Sequence, residues 1–442
     1  MKEKVICGIQ QVGIGVEELI APWKWYHTVL GFEMKIFDDE GVAERMLPYT
    51  GGKPQPRRAI LAFNPRGGGG FEVWQPKGRK VKYPERPLQL GDYGINICKI
   101  KAKDVDKSYA HLKNNGATML SEVCSSPFGF KHFYFKDPWN NIFEVEQNDY
   151  AFIDEDKTNG GVNGVVIGVK DMEKSIEFYG KLLDYDTVVG DVTSTFDELK
   201  NINGGNCELR RVMLKRSKPI QGPLSDMMGD SHIELVKNLS AEPVKVLENR
   251  YWGDPGYIHL CFDVRNMDCI KEAAEALGHP FVCDGGRDFD MGDANGHFTY
   301  VEDPNGTLIE FVETFKVPVM KKFGIYLNLG NRDDYKPLPK FPAVERDFAM
   351  LCDIDVPVGN LEQAIISGAS RLLEKVELFD VYTGSQIPEG KKSVAFNLVL
   401  RADDRSLTGE EADAFIRLGP LGGGEMLPIT GKAQHPQEGV HQ

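Results

Sequence analysis

The sequence predicts an α+β chain: four strand-helix-strand-strand-strand modules arranged as two homologous domains, followed by an unrelated α+β domain. Three observations predict it. Two Asp-Pro turns each lead into a strand carrying a carboxylate, KDPWNNIFEVEQ reaching Glu144 and EDPNGTLIEFVE reaching Glu310. The chain is self-similar over long stretches: QVGIGVEELIAPWKWYHTVLGF from Gln11 lies ungapped over GVVIGVKDMEKSIEFYGKLLDY from Gly164, and FEVWQP over IELVKN, which pairs Glu72 with Glu234. GDYGINICKIKAKDVD likewise lies over GDPGYIHLCFDVRNMD, and after Val317 the repeat stops. Self-similarity at this period means duplicated domains. The expected divisions are residues 1–150, 151–334, 335–418 and a disordered tail, 419–442.

Periodicity justifies the elements in order. Val12, Ile14 and Val16 alternate with Gln11, Gly13 and Gly15, the pattern of a half-buried strand. APWKWYHTVLGF and KDMEKSIEFYGKLLDY then space their apolar residues at helical intervals. RRAILAF and ELRRVMLK read as strands between Gly- and Pro-rich turns, and RGGGG after Pro65 lacks the Lys and Ser/Thr of a phosphate loop, so it reads as a hairpin connection. Helices covering one face of each curved sheet would leave the concave face free.

Composition narrows the function classes. A net charge of −14 argues against a general polyanion binder, which needs surplus Lys and Arg. Eight scattered cysteines without a CxxC pair suit reduced thiols and a cytoplasmic location. The N-terminal apolar run is broken by Gln and Glu and reads as a first strand rather than a signal peptide, and no segment has the length of a membrane span.

Strand parity selects residues for the concave faces. Glu72, Glu144, Glu234 and Glu310 each stand between two apolar neighbours, so each points away from the helix-covered face. His259 does the same, because Ile258, Leu260, Phe262 and Val264 form the opposite series. One imidazole with two carboxylates suits Fe, Mn, Zn or Ni and leaves coordination positions open. His297 and His132, beside the Asp-Pro strands, are acid/base candidates. Arg287, in the Gly-rich CDGGRDFDMGDANG, is a clamp for a substrate carboxylate or a partner of Asp288 or Asp290.

The module pattern, the openings with FYxxLL and the DPxxNxxE and DPNGxxxE endings resemble the glyoxalase/bleomycin resistance/dioxygenase (vicinal oxygen chelate) superfamily over residues 5–316. The resemblance implies paired modules with metal ligands on their first and last strands, here Glu234, His259 and Glu310 from the second domain, with Gly164 at the fourth position unable to ligate. Glu310 and His297 are then the catalytic candidates and Arg287 the substrate contact. The first domain offers an alternative second site of Gln11, Glu72 and Glu144, with His132 as a further ligand. Ile97 stands opposite His259 there, which makes that site degenerate. Two carboxylates and one His favour a lyase or isomerase over a dioxygenase, acting on a small carbonyl compound, α-keto acid or diol.

From Tyr335 to Leu418 the order is strand, helix, two strands with a PEG turn, and a helix opened by the capping pair Thr408 and Glu411. KFPAVERD, VELFDVY and IPEGKKSVAFNL resemble the ferredoxin-fold anticodon-binding domain of the phenylalanyl-tRNA synthetase β subunit. That resemblance implies a ferredoxin-like fold and contact with a tRNA. The family's closing strand is replaced by the Gly-rich tail, and acidic residues outnumber Lys and Arg between Lys340 and Arg417. The alternative function is therefore a tRNA-binding or adaptor protein.

Overall fold

Small and branched apolar residues make Val5–Gly15 a strand that is buried along nearly its whole length, and it lies at the middle of the larger sheet. The computed structural model describes residues 3–320 except 155, 288, 292 and 293, together with 325–329, 343–368, 372–384, 386–402 and 405–417. The chain divides into two compact units, Met1–Tyr335 and Lys336–Gln442.

The first unit holds the four modules. Module one comprises β1 (Val5–Gly15), α1 (Ile20–Trp25), β2 (Met34–Ala43), β3 (Gln55–Phe63) and β4 (Gly70–Pro76). Module two runs through β5 (Gly94–Ala102), α2 (Val105–Asn114), β6 (Thr118–Met119), β7 (Cys124–Ser125), β8 (Lys131–Lys136) and β9 (Ile142–Gln147). Module three is β10 (Val162–Gly168), α3 (Met172–Leu183), β11 (Thr187–Ser194), β12 (Leu209–Lys215), α4 (Ser225–Met228) and β13 (His232–Asn238). Module four is β14 (Gly256–Arg265), α5 (Met267–Ala276), β15 (Cys283–Asp284), β16 (Phe289–Asp290), β17 (Asn295–Glu302), β18 (Leu308–Met320) and β19 (Ile325–Asn328).

The pairing of modules departs from the expected division at residue 150. One sheet runs β15-β17-β18-β14-β1-β4-β3-β2 and joins module four to module one; the other runs β11-β12-β13-β10-β5-β9-β8-β6 and joins module three to module two. At the first seam β1 lies antiparallel to β14, with Gly13 opposite His259. At the second, β5 meets β10, with Val162 opposite Ile100.

Consecutive modules are instead tied through their helices. Tyr26, at the end of the first helical segment, donates to Asp137 of the Asp-Pro turn in module two at 2.6 Å, and Tyr179 of α3 donates to Asp303 of the turn in module four at 2.9 Å. Each Asp also accepts two backbone N–H groups of its own turn, from Trp139 and Asn141 or from Asn305 and Thr307, which fixes the entry into β9 and β18. One continuous apolar core, including Ile14, Phe71, Phe133, Val165, Ile233 and Phe311, is drawn from all four modules. The duplicated Tyr and Asp-Pro signals therefore hold adjacent modules together, while the sheets are completed crosswise.

The second unit contains β20 (Val344–Asp353), α6 (Val358–Gly368), β21 (Leu373–Tyr382), β22 (Lys391–Leu400) and α7 (Gly409–Arg417). Its strands form an antiparallel sheet in the order β20-β22-β21, over which Met350, Leu361, Ile365, Val394, Phe396 and Leu398 make a core. This is a ferredoxin-like arrangement. The capping pair is present: Thr408 N–H donates to Glu411 at 2.9 Å and Glu411 N–H to the Thr408 hydroxyl at 3.2 Å. Residues 330–342 and the tail 419–442 lie outside the described residues. Among the described residues no helix is long and apolar enough to cross a membrane.

Candidate metal centre

The crosswise seam regroups the ligands. Gln11 on β1 and Glu72 on β4 meet His259 on β14 and Glu310 on β18, four strands that are neighbours in one sheet. One ligand atom from each of Glu72, His259 and Glu310 lies within 4.8 Å of the others. His259 Nε2 is 3.3 Å from Glu72 Oε2 and 3.2 Å from Glu310 Oε2, and Gln11 Nε2 is 3.5 and 3.4 Å from the same oxygens. Glu234, expected beside His259, sits in the other sheet. The reason is topological, since β13 is bonded to β10 and β10 to β5, whereas β14 is bonded to β1.

Sequence dictates this locally. Phe71 and Val73 bury themselves in the helix-side core and turn Glu72 and Trp74 to the opposite face. Gly13 has a more specific role, because a Cβ at that position would stand 2.5 Å from His259 Cε1. Glycine on β1 is what gives the imidazole its place against the backbone. Gly13→Ala is expected to displace the ring, costing about 1–3 kcal/mol by overpacking and lowering metal affinity about 10–100-fold, the range for losing a group that orients a ligand. Metal titration with thermal unfolding checks both, and an unchanged affinity would refute the role.

The electrostatics of the cluster are strained by its two buried carboxylates. Burial raises the Glu310 carboxyl pKa, His259 works against that, and the Glu72 charge adds to it. Burial lowers the His259 pKa, but the Glu310 and Glu72 carboxylates outweigh it, so the net direction is upward. Both contacts of His259 Nε2 miss hydrogen-bond geometry, and this atom and Gln11 Oε1 are buried without a hydrogen-bond partner. Two facing carboxylates, an unsatisfied imidazole nitrogen and an amide oxygen fit a divalent transition metal. Tyr300, opposite Glu310 on β17, places its hydroxyl 3.3 Å from His259 Nδ1. An Nδ1 proton donated to that hydroxyl leaves the Nε2 lone pair facing the carboxylates.

The centre opens into a cavity of about 830 Å³ whose walls include Met34, Phe63, Trp74, Trp252, Phe289 and Phe298. Trp252 stacks on the His259 ring, with 6.1 Å between centroids. His297 is not in this cavity: Gly296, Phe298 and Tyr300 line it, so strand parity turns His297 to the opposite face, where it is buried and its Nε2 bonds Asp284 at 2.7 Å. The Arg287 guanidinium lies over the Phe315 ring at 5.7 Å and does not line the cavity, and Asp288 lies outside the described residues.

The other residues expected in a metal site meet in the second sheet. Lys99 Nζ hydrogen-bonds Glu234 at 2.7 Å and Glu146 at 2.8 Å and stands 2.8 Å from Glu144, off hydrogen-bond geometry. Arg211 reaches Glu234 at 2.6 Å, and His132 Nδ1 reaches Glu144 at 2.5 Å. Glu144 thus belongs with a lysine, not with Gln11 and Glu72. Tyr300, Trp252 and Lys99 were missing from the sequence-based site. For Lys99 a signal existed, since in GINICKIKA it shares the strand parity of Ile97, the counterpart of His259.

Residues 339–418 match the ferredoxin-fold anticodon-binding domain. The same region is 49% identical over 89 residues to the phenylalanine–tRNA ligase β subunit of Clostridium tetani, 20% of this chain and 11% of that protein. The chain therefore spans about a tenth of the length of such relatives. Among solved structures, glyoxalase I from Zea mays covers 70% of this chain and 92% of its own at 17% identity and a TM-score of 0.44. A structure described as the Mn(II)-bound glyoxalase from Novosphingobium aromaticivorans covers 74% and 93% at 15% identity and a TM-score of 0.25. Residues 8–145 and 161–311, more than half of the chain and all four modules, match the Glyoxalase/Bleomycin resistance protein/Dioxygenase superfamily, and to that superfamily the chain belongs.

Proposed function

We propose that the first unit is a metal-dependent enzyme that moves a proton on a small oxygenated substrate, as a lyase or isomerase, with its centre at Gln11, Glu72, His259 and Glu310. The observation that carries this reading is the convergence of one imidazole and two carboxylates, each from a different strand, at the base of a largely apolar cavity. A divalent metal there supplies Lewis-acid polarisation of a carbonyl. The protein supplies the rest. Glu310 lines the cavity, where its carboxylate would take a proton from carbon beside a carbonyl and return it. Tyr300 holds the orientation of His259. The aromatic walls exclude water and accept the apolar body of a carbonyl compound, α-keto acid or diol.

Metal analysis of the purified chain, with turnover of α-keto aldehyde adducts, catechols and α-keto acids under defined metals, tests it. Stoichiometric Fe, Mn, Zn or Ni, lost in His259→Ala, with turnover of aldehyde adducts is the expected result. A metal-free wild type sinks the metal reading, and turnover confined to catechols with oxygen uptake sinks the proton-transfer reading.

A second reading concerns the C-terminal unit, and its 49% identity to a tRNA ligase subunit favours it. We propose that this unit contacts the anticodon stem of a tRNA, against the acidic excess noted above. The full chain is expected to shift tRNA in a salt-dependent manner and a chain ending at residue 335 to lose the shift. Equal behaviour of the two chains would exclude it.

A further inference from the structure

The repeat makes the second sheet a counterpart of the metal centre, residue by residue. Glu234 on β13 corresponds to Glu72 on β4, and Glu144 on β9 to Glu310 on β18, because the duplicated segments align without gaps. Ile97 corresponds to His259, so the imidazole is absent. Two residues further along β5, on the same face, is Lys99, and its ammonium lies between the two corresponding carboxylates and Glu146, at 2.7, 2.8 and 2.8 Å. The lysine is fully buried, as are Glu144, Glu146 and Glu234. Burial pulls the Lys99 pKa down, but the three carboxylates hold it well above the ordinary lysine range. The chain thus carries its own cation at this position.

We propose that Lys99 is a built-in replacement for a metal ion, and that the second sheet retains a latent cation site which becomes available when the ammonium is removed. This rests on reading Glu72 and Glu310 as ligands in the first sheet. Three features support it beyond the acidic cluster. One oxygen from each of Glu234, Glu144 and Glu146 meets the single ammonium, while Glu234 also bonds Arg211 and Glu146 also lies against His232. His132, with no exposed surface, is held against Glu144 through Nδ1, while its Nε2 is buried without a hydrogen-bond partner. The space next to the cluster is filled: Ile97, Tyr134, Val166, Leu209 and Val236 pack there as a separate apolar core. The large cavity beside the first centre does not extend to Glu144, Glu146 or Glu234.

The chemistry of the vacated site follows from its oxygens. An all-carboxylate set suits hard cations such as Ca²⁺, Mg²⁺ or Mn²⁺. The present separations of 2.7–2.8 Å are nearer to Ca–O distances of about 2.3–2.6 Å than to Mg–O distances of about 2.0–2.1 Å. Removing the ammonium leaves excess negative charge buried, and a divalent cation restores the balance.

The test uses the full chain with the first site silenced by Glu72→Gln and Glu310→Gln. Calorimetric titration with CaCl₂ is expected to show no binding in this background and one equivalent bound after adding Lys99→Met, with a rise in Tm on Ca²⁺ addition. A further Glu234→Gln should abolish that equivalent. If Lys99→Met leaves the chain unfolded, refolding on Ca²⁺ addition, followed by circular dichroism, is the supporting result. A folded Lys99→Met variant that takes up no Ca²⁺, or an unfolded one that Ca²⁺ does not refold, overturns the proposal. Because the background lacks the first site, either failure is distinct from failure of the wild type to bind metal.

Discussion

Glu72→Gln is expected to abolish the proposed metal binding and activity, and Glu234→Gln to leave both in place while destabilising the fold by about 3–5 kcal/mol, the usual cost of breaking a buried ion pair from one side. The two glutamates occupy the same position in duplicated segments, and the sequence reading places Glu234, not Glu72, beside His259. Their surroundings separate them. Glu72 faces Gln11, Glu310 and His259 Nε2, none of which brings a fixed positive charge. Glu234 is held between Arg211 and Lys99. Its neutralisation leaves those two cations short of a buried counter-charge. Metal content and denaturant unfolding of the two variants check this, and loss of metal in Glu234→Gln would overturn the regrouping of the ligands.

The same cluster fixes a pH signature. Burial raises the Glu234 carboxyl pKa, but Arg211 and Lys99 more than reverse this and hold it down to about 2, against 4.5 when free. A carboxyl depressed on folding contributes stability above its unfolded value, and the contribution is lost as pH falls through the folded value. The acid limb of wild-type stability should therefore steepen between about 4.5 and about 2, and Glu234→Gln should flatten it there.

Much of the architecture was legible because its signals are local. The alternation in QVGIGV, the helical spacing in KSIEFYGKLLDY and the Asp-Pro turns each specify an element from neighbouring residues, and parity correctly turned Glu72, His259 and Glu310 toward the concave face. What parity cannot give is the partner strand. Self-alignment shows that β1 and β10, or β4 and β13, are equivalent, but equivalence is silent on which module completes which sheet. The expected grouping of Glu234 with His259 assumed that neighbours in sequence share a sheet; here neighbours share a helix layer through Tyr26 and Tyr179 instead. His297 shows a different failure, since its closeness in sequence to the Asp-Pro strand suggested chemistry although its parity, read against Tyr300, already turned it away.

The crosswise pairing has its largest consequence for fragments. Cutting the chain at residue 150 places Gln11 and Glu72 on one piece and His259 and Glu310 on the other. It also splits both sheets at their seams, β1 from β14 and β5 from β10. Each fragment alone would expose two long strand edges and the apolar residues that now meet across them, a state prone to association through those edges. Neither 1–150 nor 151–335 is expected to be a folded monomer or to bind the metal. Co-expression should restore a one-to-one complex with the metal content of the intact first unit, because the seams and the helix contacts can re-form without the peptide link. Size-exclusion chromatography and metal analysis of the separate and combined fragments decide it. A fragment 151–335 that is monomeric, folded and metal-loaded by itself would mean that Glu234, His259 and Glu310 form the site after all, and that the seam at Gly13 and His259 is not what holds it.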